Sequence, residues 1–338
     1  MDSSRQPLIS VIVCTIGRSE MLLRCLRSLL ATEYRNYEIL VVDQEPGSRL
    51  EAAIAAELPD DRIRYFHLPT DGLSPARNFG IRHSSGEILA FIDDDAVASP
   101  EWLSAIAEAF RQQPSPGMIG GRLVPVWPDG EPPAWYPASR RYLLGVGHLG
   151  DKMCVMPESC QPIGANMAGR REAILEANGF DERLGFRARG RVTMLAGADS
   201  LLSLRVRRAG WPVWYQPRMS VQHFVSRSKL TKAMLLRRNF WEGISFARVR
   251  YLLDGRGFPF GVTSRQHLWL LVRSALRVVW PQRSDETAPR ERRMLALTHL
   301  CYSAGMLLEL MRERRGHYDV ALPTAPLRAA ADEPSSDP

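Results

Sequence analysis

Apolar positions in the first 115 residues fall into short continuous runs separated by amphipathic segments. Residues 8–15 (LISVIVCT), 38–43 (EILVVD) and 88–92 (ILAFI) are apolar with little alternation, as expected of strands covered on both faces. Between the first two runs, Leu22, Cys25, Leu26, Leu29 and Leu30 recur at helical spacing and make one buried stripe. The pattern predicts further helices near 50–57, 75–83 and 100–113, and an alternating, edge-like strand over 62–67. Strands alternating with helices at this pitch predict a parallel, right-handed, doubly wound sheet.

The texture changes after residue 115. Pro, Gly and Trp cluster between Val124 and Pro137, so 116–168 reads as loops and short strands, the kind of long irregular segment that tends to carry function. Helices are predicted over 170–178, stopped by Gly179, and over 199–209, stopped by Gly210. Short strands follow at 212–216 and 219–223. Beyond His223 the pattern is helical, over about 229–251, 265–280 and 289–315, and the polar tail 321–338 reads as disordered. The expected organisation is a catalytic unit over 1–225, with halves of about 1–115 and 116–225, then a basic helical extension over 226–320.

Composition is that of an ordinary globular chain of 338 residues, 45% hydrophobic and 24% charged. The five cysteines are scattered without zinc-like spacing. With a polar N-terminus leading straight into a strand, they suggest reduced thiols in a cytoplasmic protein. No apolar run approaches the ~20 residues that span a bilayer; the nearest, 267–280, is interrupted by Arg273 and Arg277. Charge is uneven. Residues 225–320 hold 18 Lys and Arg against 8 Asp and Glu, whereas the whole chain carries only +7. This basic third suits an anionic membrane surface, with Trp269 and Trp280 as interfacial anchors. A core helix packed on the catalytic unit, or a contact between subunits, would use the same residues. No stacking platform for nucleic acid is visible there.

The chemistry concentrates at Asp93-Asp94-Asp95, directly after the run 88–92. Ligands of open α/β sheets bind at the carboxyl ends of the strands. Three adjacent carboxylates there call for cations, and a hard divalent metal carrying a diphosphate supplies one; an acidic turn is the plainer alternative. Asp43 ends the second strand, where it can accept from a base N–H or a ribose hydroxyl. Arg77 opens a helix and can brace the triplet or a phosphate. Asp199, in the first turn of its helix, can be a cap or a general base on an acceptor hydroxyl. His223 can join a carboxylate-bound metal through neutral imidazole.

Taken in order, these residues resemble the family 2 glycosyltransferases. The motifs are Val-Ile-Val-Cys-Thr15, Val-Val-Asp43, Ala-Arg-Asn78, Phe-Ile-Asp-Asp-Asp95, Gly-Ala-Asn166, Gly179-Phe-Asp-Glu182, Asp199 and Val-Gln-His223, covering roughly residues 8–225. The resemblance implies an α/β GT-A fold, a Rossmann-like doubly wound mixed sheet, with the C-terminal helices appended. It implies a nucleotide-sugar donor (UDP, dTDP or GDP) held by Thr15, Arg18, Asp43, Arg77, Asp93 and Asp94. Asp95 and His223 would bind Mg²⁺ or Mn²⁺. Gly164, Ala165 and Asn166 would line the donor-sugar and acceptor side, with Asp199 as the base of an inverting transfer to a glycan or lipid-linked acceptor. Trp127, Trp135 and Tyr136 are acceptor-side candidates.

Enzymes of this size in the family resemble those that build polysaccharide, lipopolysaccharide or glycolipid, peripheral at the inner membrane face. Two stretches depart from the family pattern. Ala198 and Leu201 stand where acidic neighbours of Asp199 are usual, and Cys14-Thr-Ile-Gly-Arg18 replaces Pro-Thr-Tyr-Asn-Arg. A non-catalytic nucleotide-sugar-binding scaffold is the alternative. A nucleotidyltransferase would need a glycine-rich phosphate loop that Thr15-Ile-Gly-Arg-Ser19 does not provide.

Overall fold

A computed structural model describes residues 6–112, 114–187, 194–255, 260–279 and 289–315; Trp280 and the tail 321–338 lie outside the described residues. The first half alternates as its pattern requires: β1 (Ile9–Thr15), α1 (Ser19–Leu30), β2 (Tyr37–Asp43), α2 (Leu50–Glu57), β3 (Ile63–His67), α3 (Leu73–His83) and β4 (Ile88–Asp93). These strands pair in parallel in the order β3-β2-β1-β4, with β3 at the sheet edge. Successive side chains enter opposite layers. Ile9, Val11 and Val13 pack with α1, whereas Ile12 joins Leu89 and Phe91 in a second cluster on the other face. Both faces are covered, which explains the unbroken apolar runs.

The second half mixes strand directions. It comprises β5 (Ala96–Ala98), α4 (Trp102–Ala109), β6 (Met118–Val126), a 3-10 turn at Ala138–Leu144, β7 (Cys154–Val155), β8 (Asn166–Arg170), α5 (Arg171–Glu176), α6 (Ala198–Arg208) and β9 (Val213–Phe224). The sheet runs β3-β2-β1-β4-β8-β6-β9-β5, with β7 on β9. β8 is antiparallel to β4 and β6, so the sheet is mixed. The two strands expected at 212–216 and 219–223 are one. Gly121 pairs with Gln216 and Arg122 with Ser220, so a bulge absorbs Pro217, which has no N–H to give a ladder. The bulge comes so close that a Cβ at Gly121 would lie 2.1 Å from the Met219 carbonyl oxygen.

Three helices follow: α7 (Lys232–Asp254), α8 (Phe260–Val279) and α9 (Pro289–Arg314). α7 is built into the core. Its Ile244 and Val249 share a cluster with Leu201, Leu202 and Val206 of α6, and the Ser245 hydroxyl accepts from the Ala196 N–H at 2.9 Å. α9 crosses α7 at glycines, where a Cβ on Gly243 would meet the Tyr302 carbonyl at 2.1 Å and one on Gly305 the Phe240 carbonyl at 2.0 Å. Nearby, the buried Glu309 is held by Arg248 and Arg312. Here the sequence reading is corrected: the helix Arg290–Arg314, 25 residues, is long and apolar enough to cross a membrane. Glu309 is the only charge within 294–311. Length and apolarity equally suit a helix packed inside a protein, and Met306 and Leu310 are buried against α7.

Gly305→Ala should force these helices apart and cost about 1–3 kcal/mol as overpacking does, read as a lowered denaturation midpoint. Met311→Ala, at a side chain 43% exposed on the same helix, should stay within about 0.5 kcal/mol.

Candidate active site

Strand ends gather the acidic residues. Thr15 lies opposite Asp43 in the β1–β2 ladder, and Cys14 opposite Asp93 in the β1–β4 ladder, so β2, β1 and β4 end side by side. The triplet turns the chain from β4 into β5, a three-residue strand that pairs antiparallel with β9. That pairing sets Ala96 opposite His223, and the Phe224 N–H donates to the Asp95 carbonyl at 2.9 Å. The imidazole Nε2 of His223 consequently lies 3.2 Å from Asp95 Oδ1. One ligand atom from each of Asp93, Asp95 and His223 falls within 4.8 Å of the others, a spacing able to hold a metal ion. Among the described residues His223 Nδ1 is buried with no hydrogen-bond partner, and the ring packs against Gly145, where a Cβ would come 2.8 Å from it.

Cations from three distant segments converge on the triplet. Arg18, just before α1, donates to Asp94 at 3.0 Å and to Asp95 at 3.1 Å. Arg77 of α3 donates to Asp93 at 3.0 Å, and Lys229 stands 3.4 Å from Asp95. The Thr15 hydroxyl donates to Asp94 at 2.7 Å. Burial raises the Asp94 carboxyl to about 6, against the pull of Arg18 and Thr15. Burial also works to raise Asp95, but the His223 hydrogen bond and the charges of Lys229 and Arg18 outweigh it and hold that carboxyl well below the usual range. Cys14, beneath Asp93, is pushed up to about 12 by burial, so it stays a thiol.

Arg77 also stacks on the Phe180 ring at 5.2 Å. The Asn78 side chain locks that ring's loop through the Phe180 backbone and Glu182. A second Arg77 bond, 2.9 Å, goes to the Gly164 carbonyl. The N–H of the same residue donates to Asp199 Oδ2 at 2.9 Å. Gly164 therefore joins the triplet's brace to Asp199 through one residue. Gly197, in the left-handed region at φ 93°, precedes α6; the Asp199 Oδ1 accepts from the adjacent Ser200 N–H.

Both ends open on one cavity of about 230 Å³, lined by Asp93, Arg77 and His223 on one side and by Gly164, Ala165 and Asp199 on the other. Its far wall comes from Tyr136, Tyr142 and α7. Asp43 is buried beside Thr15, where it accepts from the Tyr65 hydroxyl and the Glu45 N–H, each at 2.9 Å.

Three expected site residues are placed differently. Asn166 is fully buried: its amide donates to the Arg122 and Met219 carbonyls and accepts from the Trp102 indole, pinning β8 to β6 and β9. Trp127 and Trp135 pack into a satellite cluster with Leu144, Val225 and Met294; of the three aromatics only Tyr136 lines the cavity. The sequence reading missed Lys229 and the α7 pair Arg238 and Glu242. Arg238 lines the cavity and lies over the Phe186 ring at 4.6 Å. Burial lowers Arg238 against the opposing charges of Glu242 and Asp199, and burial together with Asp199 raises Glu242. Asp199 thus keeps charged neighbours, from α7 rather than from positions 198 and 201. The i,i+4 spacing of Arg238 and Glu242 on a helix flanked by apolar residues was the available signal.

Residues 10–176 match the model of glycosyl transferase family 2. The chain belongs to that family. Among relatives of this glycosyltransferase, a glucosyl-dolichyl phosphate glucuronosyltransferase of Haloferax volcanii is 27% identical over 243 residues, 70% of this chain and 75% of that protein. Succinoglycan biosynthesis protein ExoM of Rhizobium meliloti is 27% identical over 246 residues, 71% and 74% of the two chains. The mannosyltransferase PcManGT from Pyrobaculum calidifontis, solved with GDP-Man and Mn²⁺, superposes with a TM-score of 0.61 at 18% identity, over 90% of this chain and 88% of its own. It shares the GT-A fold.

A Cβ at Gly164 would lie 2.6 Å from the guanidinium of Arg77, which is buried and held by Asp93, the Gly164 carbonyl and the Phe180 ring. Gly164→Ala should therefore lower the melting temperature and also reduce transfer activity about tenfold to a hundredfold, the cost of misplacing groups at a reacting centre.

Proposed function

We propose that this family 2 glycosyltransferase is a metal-dependent inverting enzyme that moves a sugar from a nucleotide-diphosphate donor to a hydroxyl of a glycan or lipid-linked acceptor. The observation that carries the reading is the polarity of the cavity. Its described lining has two carboxylates, Asp93 at the metal-competent cluster and Asp199 across from it. Asp93, Asp95 and His223 would hold Mg²⁺ or Mn²⁺; oxygen and imidazole donors suit either ion. When bound, the ion supplies a Lewis acid that offsets the charge developing on the diphosphate leaving group. Mn²⁺ in the solved PcManGT complex, beside GDP-Man, is consistent with this.

The surrounding residues divide the remaining work. Three carboxylates of the triplet already face three cations, Arg18, Arg77 and Lys229. An added divalent charge therefore favours arrival together with an anion, and a diphosphate brings one. Arg18 and Lys229, whose side chains are both partly exposed, can then turn towards phosphate oxygens. Thr15 and Asp43 border the nucleoside end. Asp199 accepts the proton of the incoming hydroxyl as it attacks the anomeric carbon, and Gly164 holds the carboxylate in place. Retention would need a second carboxylate on the sugar face, free of the metal cluster; among the described lining residues, Asp199 is the sole carboxylate outside that cluster.

In this reading residues 1–225 form the catalytic unit, and the extension 226–320 completes its acceptor wall through α7. The names of the relatives, a dolichyl phosphate glycosyl transfer and succinoglycan biosynthesis, support a lipid-linked or polysaccharide acceptor and a cytoplasmic site at the inner membrane face.

A thermal-shift panel of UDP-, dTDP- and GDP-sugars with Mn²⁺, Mg²⁺ or EDTA tests the donor site, since a ligand of the native state alone raises its stability. One nucleotide should shift the transition, and only with metal; no shift for any of them counts against the proposal. Asp95→Asn should remove the metal-dependent shift. Asp199→Asn should keep it and lower transfer about 10²- to 10⁴-fold; transfer at the wild-type rate would rule out Asp199 as base.

A further inference from the structure

Among the described residues of the basic extension, one face is left without a partner. α7 is committed to the cavity and to α6, and α9 to α7. α8 rests on α9 through Ser274, which is buried, while His267 lies 6.0 Å from the Tyr302 ring. On its outer side Leu268, Trp269, Val272 and Leu276 are 56–64% exposed. Their spacing of one, three and four residues gathers them on a single helical face. Arg265 and Arg273 are exposed beside this stripe, and Arg273 lies over the Trp269 ring at 4.9 Å. Within its 20 residues α8 has three arginines and no Asp or Glu.

We propose that this face of α8 is a membrane-docking surface that lies in the headgroup region of an anionic bilayer, with Leu268, Trp269, Val272 and Leu276 towards the acyl chains. Charge decides the occupant. A second copy of the chain packed on the same stripe would set arginines against arginines, whereas an anionic lipid surface complements them. Trp is suited to the boundary because its ring is apolar and its N–H is polar. Long arginine side chains cover apolar surface and keep their charge at the phosphates. Docking would act near the catalytic cavity: burial lowers the His299 imidazole of α9, helped by the charges of Arg140, on the 3-10 turn that lines the cavity, and of Arg277 and Arg273 of α8. The proposal does not depend on the catalytic reading.

The test is co-sedimentation of the full-length protein with vesicles of phosphatidylglycerol and phosphatidylcholine, and of phosphatidylcholine alone. The protein should pellet with the anionic vesicles and much less with the neutral ones, and added salt should weaken binding. A Leu268→Gln/Trp269→Gln/Leu276→Gln variant should lose at least tenfold in partitioning, and Arg273→Gln about fivefold, with melting temperatures unchanged because all four side chains are on the surface. Protein left in the supernatant with anionic vesicles overturns the proposal. So does a wild-type dimer that the triple variant converts to monomer, since that face would then be a contact between copies. Either result leaves the donor-binding panel unaffected.

Discussion

Three neighbouring carboxylates at the end of β4 are stable in a half-enclosed crevice only if cations reach them from elsewhere. The chain meets this demand with Arg18 before α1, Arg77 on α3 and Lys229 beyond β9. These contacts fix more than charge. Arg77 needs the Phe180 ring beneath it and the Gly164 carbonyl beside it, so the loop held by Asn78 and the turn before β8 are positioned by the same side chain. Asp95 needs His223, and the short strand β5 exists where it does because it lays the triplet against β9. Much of the second half of the sheet is thus arranged around six ionic groups.

The balance of the triplet also explains how one cavity can serve two chemical tasks. On the β4 side, neutralised acids and the partly exposed side chains of Arg18 and Lys229 suit an arriving anion and a metal ion. On the α6 side, Asp199 faces Arg238 of the cavity wall, with Glu242 behind it, two groups whose burial disfavours their charges. The peptide of Gly164 links the two sides, accepting from Arg77 and donating to Asp199. A substitution that moves it disturbs the brace and the carboxylate together, which is why a residue with no side chain carries so much of the geometry.

The C-terminal helices show how a surface and a core divide along one basic segment. Charge density alone treats 226–315 as uniform. Packing separates it: α7 and α9 approach through Gly243 and Gly305 and bury the Glu309 ion pairs, whereas α8 keeps its apolar stripe outward. A long apolar helix such as α9 and an amphipathic one such as α8 have opposite fates here, set by whether a partner face is available.

Local periodicity by itself determined the parallel half of the sheet, because strands covered on both faces must be apolar throughout and their helices must carry a stripe. It also placed the triplet, Asp43, Arg77, Asp199 and His223 at strand and helix ends as candidates, each beside a plainer use as a turn, cap, surface or core residue. What only the tertiary structure decided depends on pairing between distant segments. β5 is three residues long, too short to show a period, and the continuity of β9 rests on a bulge that hides Pro217. Asn166 reads like a ligand residue but is consumed by the backbone of β6 and β9. Trp127 and Trp135 were settled by a cluster assembled from four separate segments. Lys229 and Arg238 acquire meaning only when the chain after β9 and α7 bring them to the cavity, and Glu242 only beside Arg238 and Asp199, because an electrostatic partner is defined by distance in space and a sequence records distance along the chain.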